Sequence, residues 1–156
     1  MSIITIISVG KLKTPHWQSS AKEYITRLGR TWQIRKIDVR DGNSQALAVQ
    51  RSKEEGERIL AAIEPGMVVI ALDERGKSYD SVKFAEFLEA CIQNKARQAC
   101  FIIGGAYGLS DAVRSRADYL LSLGEMTFPH ELAQVILLEQ IYRAATILGG
   151  QPYHHA

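Results

Sequence analysis

Glycines that could let a ligand approach the backbone occur late in the chain. Gly104, Gly105 and Gly108 form a Gly-Gly-x-x-Gly pattern directly after an apolar run. A residue without a Cβ allows a bound molecule to come close to the backbone amides. The same pattern also fits a tight turn from a strand into a helix. It therefore predicts a loop suited to ligand binding without identifying the ligand.

A pair of opposite charges lies in the otherwise apolar C-terminal segment. Glu139 and Arg143 are four residues apart, the spacing of an ion pair on one face of a helix. On an exposed helix such a pair would be an ordinary solvated feature. Because its neighbours are apolar, we expect the pair to be buried at a subunit boundary, where it either fixes the register or contacts the substrate.

Several common catalytic motifs are absent from the sequence. It contains neither G-x-x-x-x-G-K-[ST] nor a G-x-G-x-x-G after the first strand, which disfavours nucleoside triphosphatases and ordinary dinucleotide enzymes. It also lacks G-x-S-x-G and a His-Glu-x-x-His helix, which disfavours esterases and zinc proteases. Cys91 and Cys100 form no Cys-x-x-Cys pair, so we expect them to be core thiols and expect no metal site.

The elements that must position these residues follow an alternating pattern. Five apolar runs of strand length, at residues 3–9, 32–39, 67–73, 99–103 and 119–123, alternate with five segments of helical period. This alternation predicts a single α/β domain with a mostly parallel sheet flanked by helices. Ligands bind such sheets beyond the carboxyl ends of the strands, so the loops of interest are residues 72–78, 104–109 and 123–130.

The helices are predicted from apolar stripes and capping residues. One stripe spans residues 17–28, a second helix covers about 46–63, and Ser81 and Ser110 are predicted N-caps of the third and fourth helices. The fifth helix, about residues 131–148, is apolar around nearly its whole circumference. We therefore expect it to be covered on more than one side, with a second copy of the chain as the additional cover.

Length and composition describe one ordinary domain. The chain has 156 residues, of which 46% are hydrophobic and 23% are charged, so two independent catalytic domains and a disordered chain are both excluded. No segment approaches the roughly 18 uncharged apolar residues that a membrane span requires. The apolar start lacks the features of a signal peptide. We expect a cytoplasmic protein.

The positive charge is concentrated near the N-terminus. The net charge is only +2, but residues 1–40 contain eight basic and two acidic residues. This segment is either an edge that faces nucleic-acid phosphates or a solvated surface of mixed charge. The candidates for phosphate contacts are Lys11, Lys13, Arg27, Arg30, Arg35 and Lys36.

Several short motifs, taken in order, resemble a known family. They are Leu72-Asp73, Ile102-Ile-Gly-Gly-Ala-Tyr-Gly-Leu109, Met126-Thr-Phe-Pro-His130, Leu137-Leu-Glu-Gln-Ile-Tyr-Arg-Ala144 and Pro152-Tyr-His154. Their combination is similar to that of the small ribosomal-RNA methyltransferase family RlmH, which belongs to the SPOUT class. The resemblance covers the whole chain. It implies one domain over residues 1–156, a deep trefoil knot and cofactor site in roughly 67–156, and a homodimer with a shared active site.

The resemblance also implies an activity. Members of this family use S-adenosyl-L-methionine to methylate N3 of a pseudouridine in 23S rRNA on the assembled ribosome, without a metal. The cofactor positions carried over to this sequence are Leu72, Gly104, Leu123, Gly124, Glu125, Met126, Thr127 and Phe128. Two alternatives stay open, namely a knotted methyltransferase that acts on another RNA base and a non-catalytic ribosome-binding protein of the same fold.

Transfer to N3 also requires the loss of a proton from that nitrogen. The candidate catalytic residues are His154, Tyr153, Glu139 and Arg143, and His130 is a further candidate base. His154 is attractive because an ordinary imidazole is mostly neutral at cellular pH. Two residues depart from the family pattern. Gln134 stands where many relatives have arginine, which would remove a phosphate or cross-subunit contact, and His155 replaces the usual basic residue after the Tyr-His pair.

Overall fold

Five parallel strands form the centre of the molecule. The computed structural model describes residues 1–93 and 98–155. Its strands are β1 (Ser2–Val9), β2 (Trp32–Val39), β3 (Val68–Lys77), β4 (Ala99–Ile103) and β5 (Tyr119–Leu121). They make one sheet in the order β2-β1-β4-β3-β5, and every pairing is parallel. This architecture confirms the predicted α/β class.

Helices cover both faces of this sheet. They are α1 (Pro15–Leu28), α2 (Ala48–Ala62), α3 (Ser81–Gln93), α4 (Asp111–Arg116) and α5 (His130–Leu148). One apolar core joins the sheet to α1, α3 and α5, and a second joins it to α2 and α4. Every residue of β4 is buried, as its continuous apolar sequence predicted. None of the helices in residues 1–93 and 98–155 is long and apolar enough to cross a membrane.

The third and fifth strands differ from their predicted ends. β3 continues to Lys77 instead of ending at residue 73, because its chain bulges and then pairs with Leu121 again. Gly76 permits this return, since a Cβ there would lie 2.6 Å from the backbone nitrogen of Leu121. β5 ends at Leu121 rather than at residue 123 because Ser122 begins a turn, with its hydroxyl bonded to the backbone of Gly124. Part of the predicted 72–78 loop is therefore strand.

Capping residues were predicted correctly for one helix and wrongly for another. Ser110 is the N-cap of α4, and its hydroxyl accepts a hydrogen bond from the backbone N–H of Val113 at 3.4 Å. Ser81 is instead the first helical residue of α3. Asp80 takes the capping role, with its carboxylate accepting from the backbone N–H of Lys83 at 2.8 Å. This leaves the Ser81 hydroxyl free to donate to Gln140 on α5.

The apolar helix α5 is covered by its own chain. It packs against α1 and α3 on the sheet face, and no residue from 131 to 147 is exposed. Because α1 and α3 bury much of its apolar circumference, that circumference does not by itself require a second copy of the chain. The homodimer itself stays a prediction.

A carboxylate at the start of α5 fixes the start of α1. Glu131 accepts hydrogen bonds from the backbone N–H groups of Thr14 and Lys13 and from the Thr14 hydroxyl. These donors, led by the Thr14 amide, lower the pKa of Glu131 to about 2. Since N–H groups at a helix start lack intrahelical partners, this contact supplies α1 with a cap from a distant element.

Glu131→Gln is expected to lower the stability of the protein at neutral pH. The folded state holds the pKa of Glu131 below the usual value of 4.5, so the carboxylate stabilises the fold above that value and loses this effect as the pH falls toward 2. Urea unfolding at pH 7 should show a lower midpoint for the variant, and the difference from wild type should shrink at pH 3. Glu86→Gln, at an exposed glutamate of α3, is the control. Equal midpoints at pH 7 would contradict the capping role.

Candidate active site

A cleft lies where the carboxyl ends of β4, β3 and β5 meet. It has a volume of about 890 Å³ and is bordered by residues 72–75 of β3 and by the segments that follow β4 and β5. We call it the first cleft. All eight predicted cofactor positions line it: Leu72, Gly104, Leu123, Gly124, Glu125, Met126, Thr127 and Phe128. The three strands are neighbours in the sheet, so the fold brings together residues that are far apart in sequence.

The glycine loop, residues 104–110, forms one wall of the first cleft. A Cβ on Gly104 would lie 2.9 Å from Leu109 Cδ2 and 3.1 Å from the Gly108 carbonyl carbon, so any side chain here must displace one or both. The backbone N–H of Gly108 donates to the Gly105 carbonyl at 3.0 Å, and Gly108 has a φ of +76°. These features close the loop tightly and confirm that Gly104 and Gly108 have a conformational purpose.

The segment after β5 forms the opposite wall and is open to solvent. Gly124 adopts a φ of +128°, which turns the chain away from the sheet. Beyond it, Glu125, Met126 and Thr127 are exposed, and the Met126 side chain is 82% exposed. An apolar side chain held so far into solvent at the rim of a cleft is available to cover a bound molecule.

An ion pair borders the first cleft and was not found from the sequence. Arg114 on α4 donates to the Asp73 carboxylate at 2.6 Å, and this carboxylate is nearly buried. Burial works to raise the pKa of Asp73, but hydrogen bonds from Arg114 and from the Arg75 backbone outweigh it, so the pKa is lowered. The pair ties β3 to α4, and its partners are 41 residues apart, beyond the reach of any local pattern.

A second cleft adjoins the first. It has a volume of about 660 Å³ and lies between residues 78–84 and α5, with His154 at its edge. It shares residues 121–124 with the first cleft, so this short segment forms a wall between the two. We call it the second cleft.

The four predicted catalytic residues form one hydrogen-bonded cluster. Arg143 donates to Glu139 Oε1 from Nε at 3.0 Å, as their four-residue spacing predicted. The Tyr153 hydroxyl donates to the same oxygen at 3.1 Å. Arg143 also contacts His154 Nδ1 at 3.2 Å and lies over the Tyr153 ring. The tail is therefore held on α5 by specific contacts.

The contacts of this cluster decide what its members can do. Arginine only donates hydrogen bonds, so His154 Nδ1 must be the acceptor in its contact with Arg143, and a neutral ring carries its proton on Nε2. Glu139 accepts from Arg143 and Tyr153 on one oxygen and from Gln140 on the other. Burial, followed by the Glu139 charge, raises the pKa of Tyr153 to about 12. In this arrangement the cluster offers a donor, His154 Nε2–H, and no free base.

The structure separates the two predicted sets of site residues. The cofactor positions line the first cleft, and within the described residues none of Glu139, Arg143, Tyr153 and His154 borders that cleft. His130, the further candidate base, does border it. Gln140 and Ser81 were not singled out from the sequence, although Gln140 joins the cluster to α3 by accepting from the Ser81 hydroxyl at 2.9 Å.

The residue that departs from the family pattern is internal. Gln134 is 1% exposed and donates to the Ser8 hydroxyl at 3.1 Å, which in turn donates to Asp38. A side chain in this position is enclosed by its own protomer. Gln134 therefore reaches neither an RNA phosphate nor a second subunit from here.

The two cysteines are core thiols, as expected from the sequence. Cys91 and Cys100 are both buried and unpaired with each other, and burial raises their pKa values to about 11 and about 12. Residues 1–93 and 98–155 contain no group of three or more histidine, cysteine or acidic side chains arranged to hold a metal ion.

Comparison with solved structures defines the class of this fold. A probable methyltransferase from Bordetella pertussis Tohama I superposes with a TM-score of 0.61 at 15% identity, covering 92% of this chain and 95% of that one. A probable methylase family protein from Haemophilus influenzae Rd KW20 superposes with a TM-score of 0.57 at 12% identity, covering 98% and 70%. Residues 1–154 match the family model described as predicted SPOUT methyltransferase, and the chain belongs to that family.

Relatives of high identity narrow this assignment. A protein of Nitratidesulfovibrio vulgaris (strain Miyazaki F) is 50% identical over 155 residues, covering 99% of this chain and 100% of that protein. A protein of Carboxydothermus hydrogenoformans is 47% identical over 156 residues, covering 97% and 98%. Both are named ribosomal RNA large subunit methyltransferase H. These matches confirm the family resemblance that the motifs indicated.

Proposed function

We propose that the protein is a methyltransferase of large-subunit ribosomal RNA that uses S-adenosyl-L-methionine to methylate N3 of a pseudouridine in 23S rRNA. The observation that carries this proposal is the first cleft, in which all eight cofactor positions of the resemblance border one cavity. The names of the full-length relatives support ribosomal RNA as the substrate. A ribosomal RNA substrate favours a cytoplasmic enzyme, and the family resemblance further implies action on the assembled ribosome.

The residues of the first cleft fit this cofactor. Gly104 lets the glycine loop close tightly at the wall of the first cleft, and Leu72 and Phe128 supply apolar surface for an adenine ring. Acidic and basic side chains both occur at the rim, which suits a zwitterion with a positive sulfur better than a phosphate. When bound, S-adenosylmethionine supplies a methyl group that its positive sulfur has already activated. The protein must then align the acceptor nitrogen and assist the loss of its proton.

His154 is proposed to assist that loss as a hydrogen-bond donor. An imide N3 lies between two carbonyl groups, whose oxygens carry most of the negative charge when the proton leaves. Arg143 holds Nδ1 of His154, so Nε2–H is the group free to donate to one of these oxygens. Glu139 accepts from Arg143, and Tyr153 donates to the same Glu139 oxygen and packs its ring against the Arg143 guanidinium, which together keep Arg143 in place. Proton removal by His154 itself would require Arg143 to release the ring.

We expect the protein to be a homodimer with a shared active site. The catalytic cluster and the first cleft do not meet within one protomer, which supports a site that combines the tail of one copy with the first cleft of the other. Sedimentation equilibrium at micromolar concentration should give the mass of a dimer. A stable monomer that still transfers methyl groups would contradict the shared site. Family membership further supports a trefoil knot in roughly residues 67–156.

Two rival functions are separated by a methyl-transfer experiment. Ribosomes from a strain that lacks this protein would be incubated with labelled S-adenosylmethionine, and the modified nucleotide would be located by mass spectrometry. Methylation at N3 of a pseudouridine supports the proposal, and methylation elsewhere supports a knotted enzyme for another base. Calorimetry that detects no cofactor binding would favour a non-catalytic ribosome-binding protein. Free 23S rRNA as a parallel substrate tests whether the assembled ribosome is needed.

The basic N-terminal segment is not one uniform charged face. Arg27 pairs with Glu23, and Arg35 pairs with Glu64 at 2.9 Å. Burial lowers the pKa of Lys36, although the nearby Asp38 charge opposes this. Lys11 and Lys13 are exposed instead, at the carboxyl end of β1. These two lysines, rather than the paired arginines, are the better candidates for phosphate contacts.

Replacing Lys11 and Lys13 by alanine together is expected to weaken ribosome binding. If each lysine contacts one phosphate, the dependence of log affinity on log salt should become shallower by about 2. Filter binding over a range of salt concentrations measures this slope. The double variant Arg27→Ala/Arg35→Ala is the control and should change the slope less. An unchanged slope for the lysine variant would show that these residues are only solvated.

A further inference from the structure

Helix α2 presses on both ends of the glycine loop. A Cβ on Gly105 would lie 2.6 Å from Glu55 Oε2 and 3.0 Å from Oε1, so the loop backbone lies directly against this carboxylate. At the next position of α2, a Cβ on Gly56 would overlap the hydroxyl of Ser110, the residue that ends the loop. Two consecutive residues of one helix thus contact the two ends of the same loop.

The middle of the loop is contacted from the same helix. The Arg51 guanidinium lies 5.4 Å from the ring centroid of Tyr107, a distance suited to a cation–π contact. Tyr107 is 56% exposed and borders the first cleft. The stem of Arg51 is itself confined, because a Cβ on Gly42 would lie 2.6 Å from its Cγ. One face of α2 therefore follows the glycine loop from its start to its end.

Glu55 is a costly residue to place at this contact. It is 2% exposed, and its Oε1 atom is buried without a hydrogen-bond partner. Arg51 Nε lies 3.6 Å from Glu55 Oε1, close enough for an ion pair but not for a hydrogen bond. Burial accordingly raises the pKa of Glu55. A backbone hydrogen bond from Gly42 and the Arg51 charge oppose this shift. Because an apolar side chain would fill the space at lower cost, these partners indicate that the carboxylate does more than pack.

We propose that Glu55, together with Arg51, is a positioning residue that holds the glycine loop in the shape required for cofactor binding. Glu55 limits the position of Gly105 by direct contact and attracts Arg51, which covers Tyr107. Neither side chain touches the cofactor in this scheme, since within the described residues neither borders the first cleft. The inference rests on the proposed function, because the quantity that the loop controls is the affinity for S-adenosylmethionine.

Titration calorimetry with S-adenosylmethionine tests the proposal on the purified protein. Glu55→Ala and Arg51→Met are expected to bind the cofactor about 10- to 100-fold more weakly, as displacement of a binding loop by about 1 Å would produce. With ribosomes as the substrate, the KM for the cofactor should rise while kcat at saturating cofactor changes little. Glu57→Gln, at an exposed glutamate two residues further along α2, is the matched control and should bind as wild type does.

A double-mutant cycle separates positioning from general destabilisation. Gly105→Ala should weaken cofactor binding because its methyl group meets the Glu55 carboxylate. In the Glu55→Ala background that methyl group gains space, so the loss from Gly105→Ala should be smaller than in wild type. If the double variant loses affinity by the product of the factors for Gly105→Ala and Glu55→Ala, the two positions are independent and the proposal is overturned. Wild-type affinity in both Glu55→Ala and Arg51→Met would also overturn it. Arg51→Met keeps the test decisive if Glu55→Ala does not fold.

The outcomes also distinguish this inference from the proposed function. A wild-type protein that does not bind S-adenosylmethionine refutes both. A wild-type protein that binds it, with variants that bind equally well, refutes only the role of Glu55 and Arg51.

Discussion

Replacement of Gly104 by valine is expected to abolish S-adenosylmethionine binding, with a loss of more than about a hundredfold in affinity. Even a Cβ at this position would lie 2.9 Å from Leu109 Cδ2 and 3.1 Å from the Gly108 carbonyl carbon. The larger valine must displace both, and both belong to the glycine loop that borders the first cleft. The displacement is confined to the loop, so we expect the sheet to remain folded.

Titration calorimetry measures the affinity of Gly104→Val for the cofactor, and circular dichroism measures whether the variant stays folded. Gly104→Ala should give an intermediate affinity, because one methyl group forces a smaller shift of Leu109. Gly29→Ala is a suitable control, since Gly29 ends α1 with a φ of −57° and a Cβ there would have ordinary contacts. Wild-type affinity in a folded Gly104→Val protein would remove the glycine loop from the binding site.

The sequence predicted the loops of the first cleft because their position follows from a general rule. Parallel strands end at the same edge of a sheet, and the apolar runs marked where the strands end. It did not predict that β3 lies between β4 and β5. The order of strands depends on long-range pairing, which leaves no periodic signal in a single strand. The bulge in β3 was missed for the same reason, because Lys77 pairs with Leu121 across the sheet.

Side chains that position the site were the least predictable part. The contact of Asp73 with Arg114 joins residues 41 positions apart. The contact of Glu55 with Gly105 joins residues 50 positions apart. From residue type alone, Asp73, Arg114 and Glu55 are typical of charged side chains on a protein surface. By contrast, Glu139 and Arg143 were predicted as a pair because their contact is local to one helix. Residue spacing could not predict the direction of each hydrogen bond. The direction of the Arg143–His154 contact determines which ring nitrogen of neutral His154 carries the proton.

Replacement of His154 is expected to cause the second large loss of methyl-transfer activity. His154→Ala is expected to lower methyl transfer by about 10²- to 10⁴-fold while cofactor affinity stays nearly unchanged, because the imidazole assists proton loss and borders only the second cleft. Removal of residues 153–156 should have a similar effect. Tyr153→Phe should be milder, since the Tyr153 hydroxyl bonds to Glu139 and its loss leaves the Arg143–His154 contact in place.

The two possible roles of His154 predict different behaviour for His154→Gln. A glutamine amide can donate a hydrogen bond from nearly the place of Nε2–H but cannot act as a base. Substantial activity in His154→Gln, with little in His154→Ala, would therefore support a donor that stabilises the imide anion. Equal loss in both variants would favour a base and require that Arg143 release the ring. Single-turnover rates measured over a range of pH give this comparison free of product release.

Mixing two inactive variants tests whether the cluster acts across the dimer. In a mixed dimer of Gly104→Val and His154→Ala subunits, one composite site combines an intact first cleft with an intact tail from the other copy. If subunits exchange freely, half of the dimers are mixed and each has one working site of two, so about a quarter of wild-type activity should return. No recovery, with exchange verified by sedimentation of tagged subunits, would mean that each protomer must supply both the cofactor cleft and His154 to the same site.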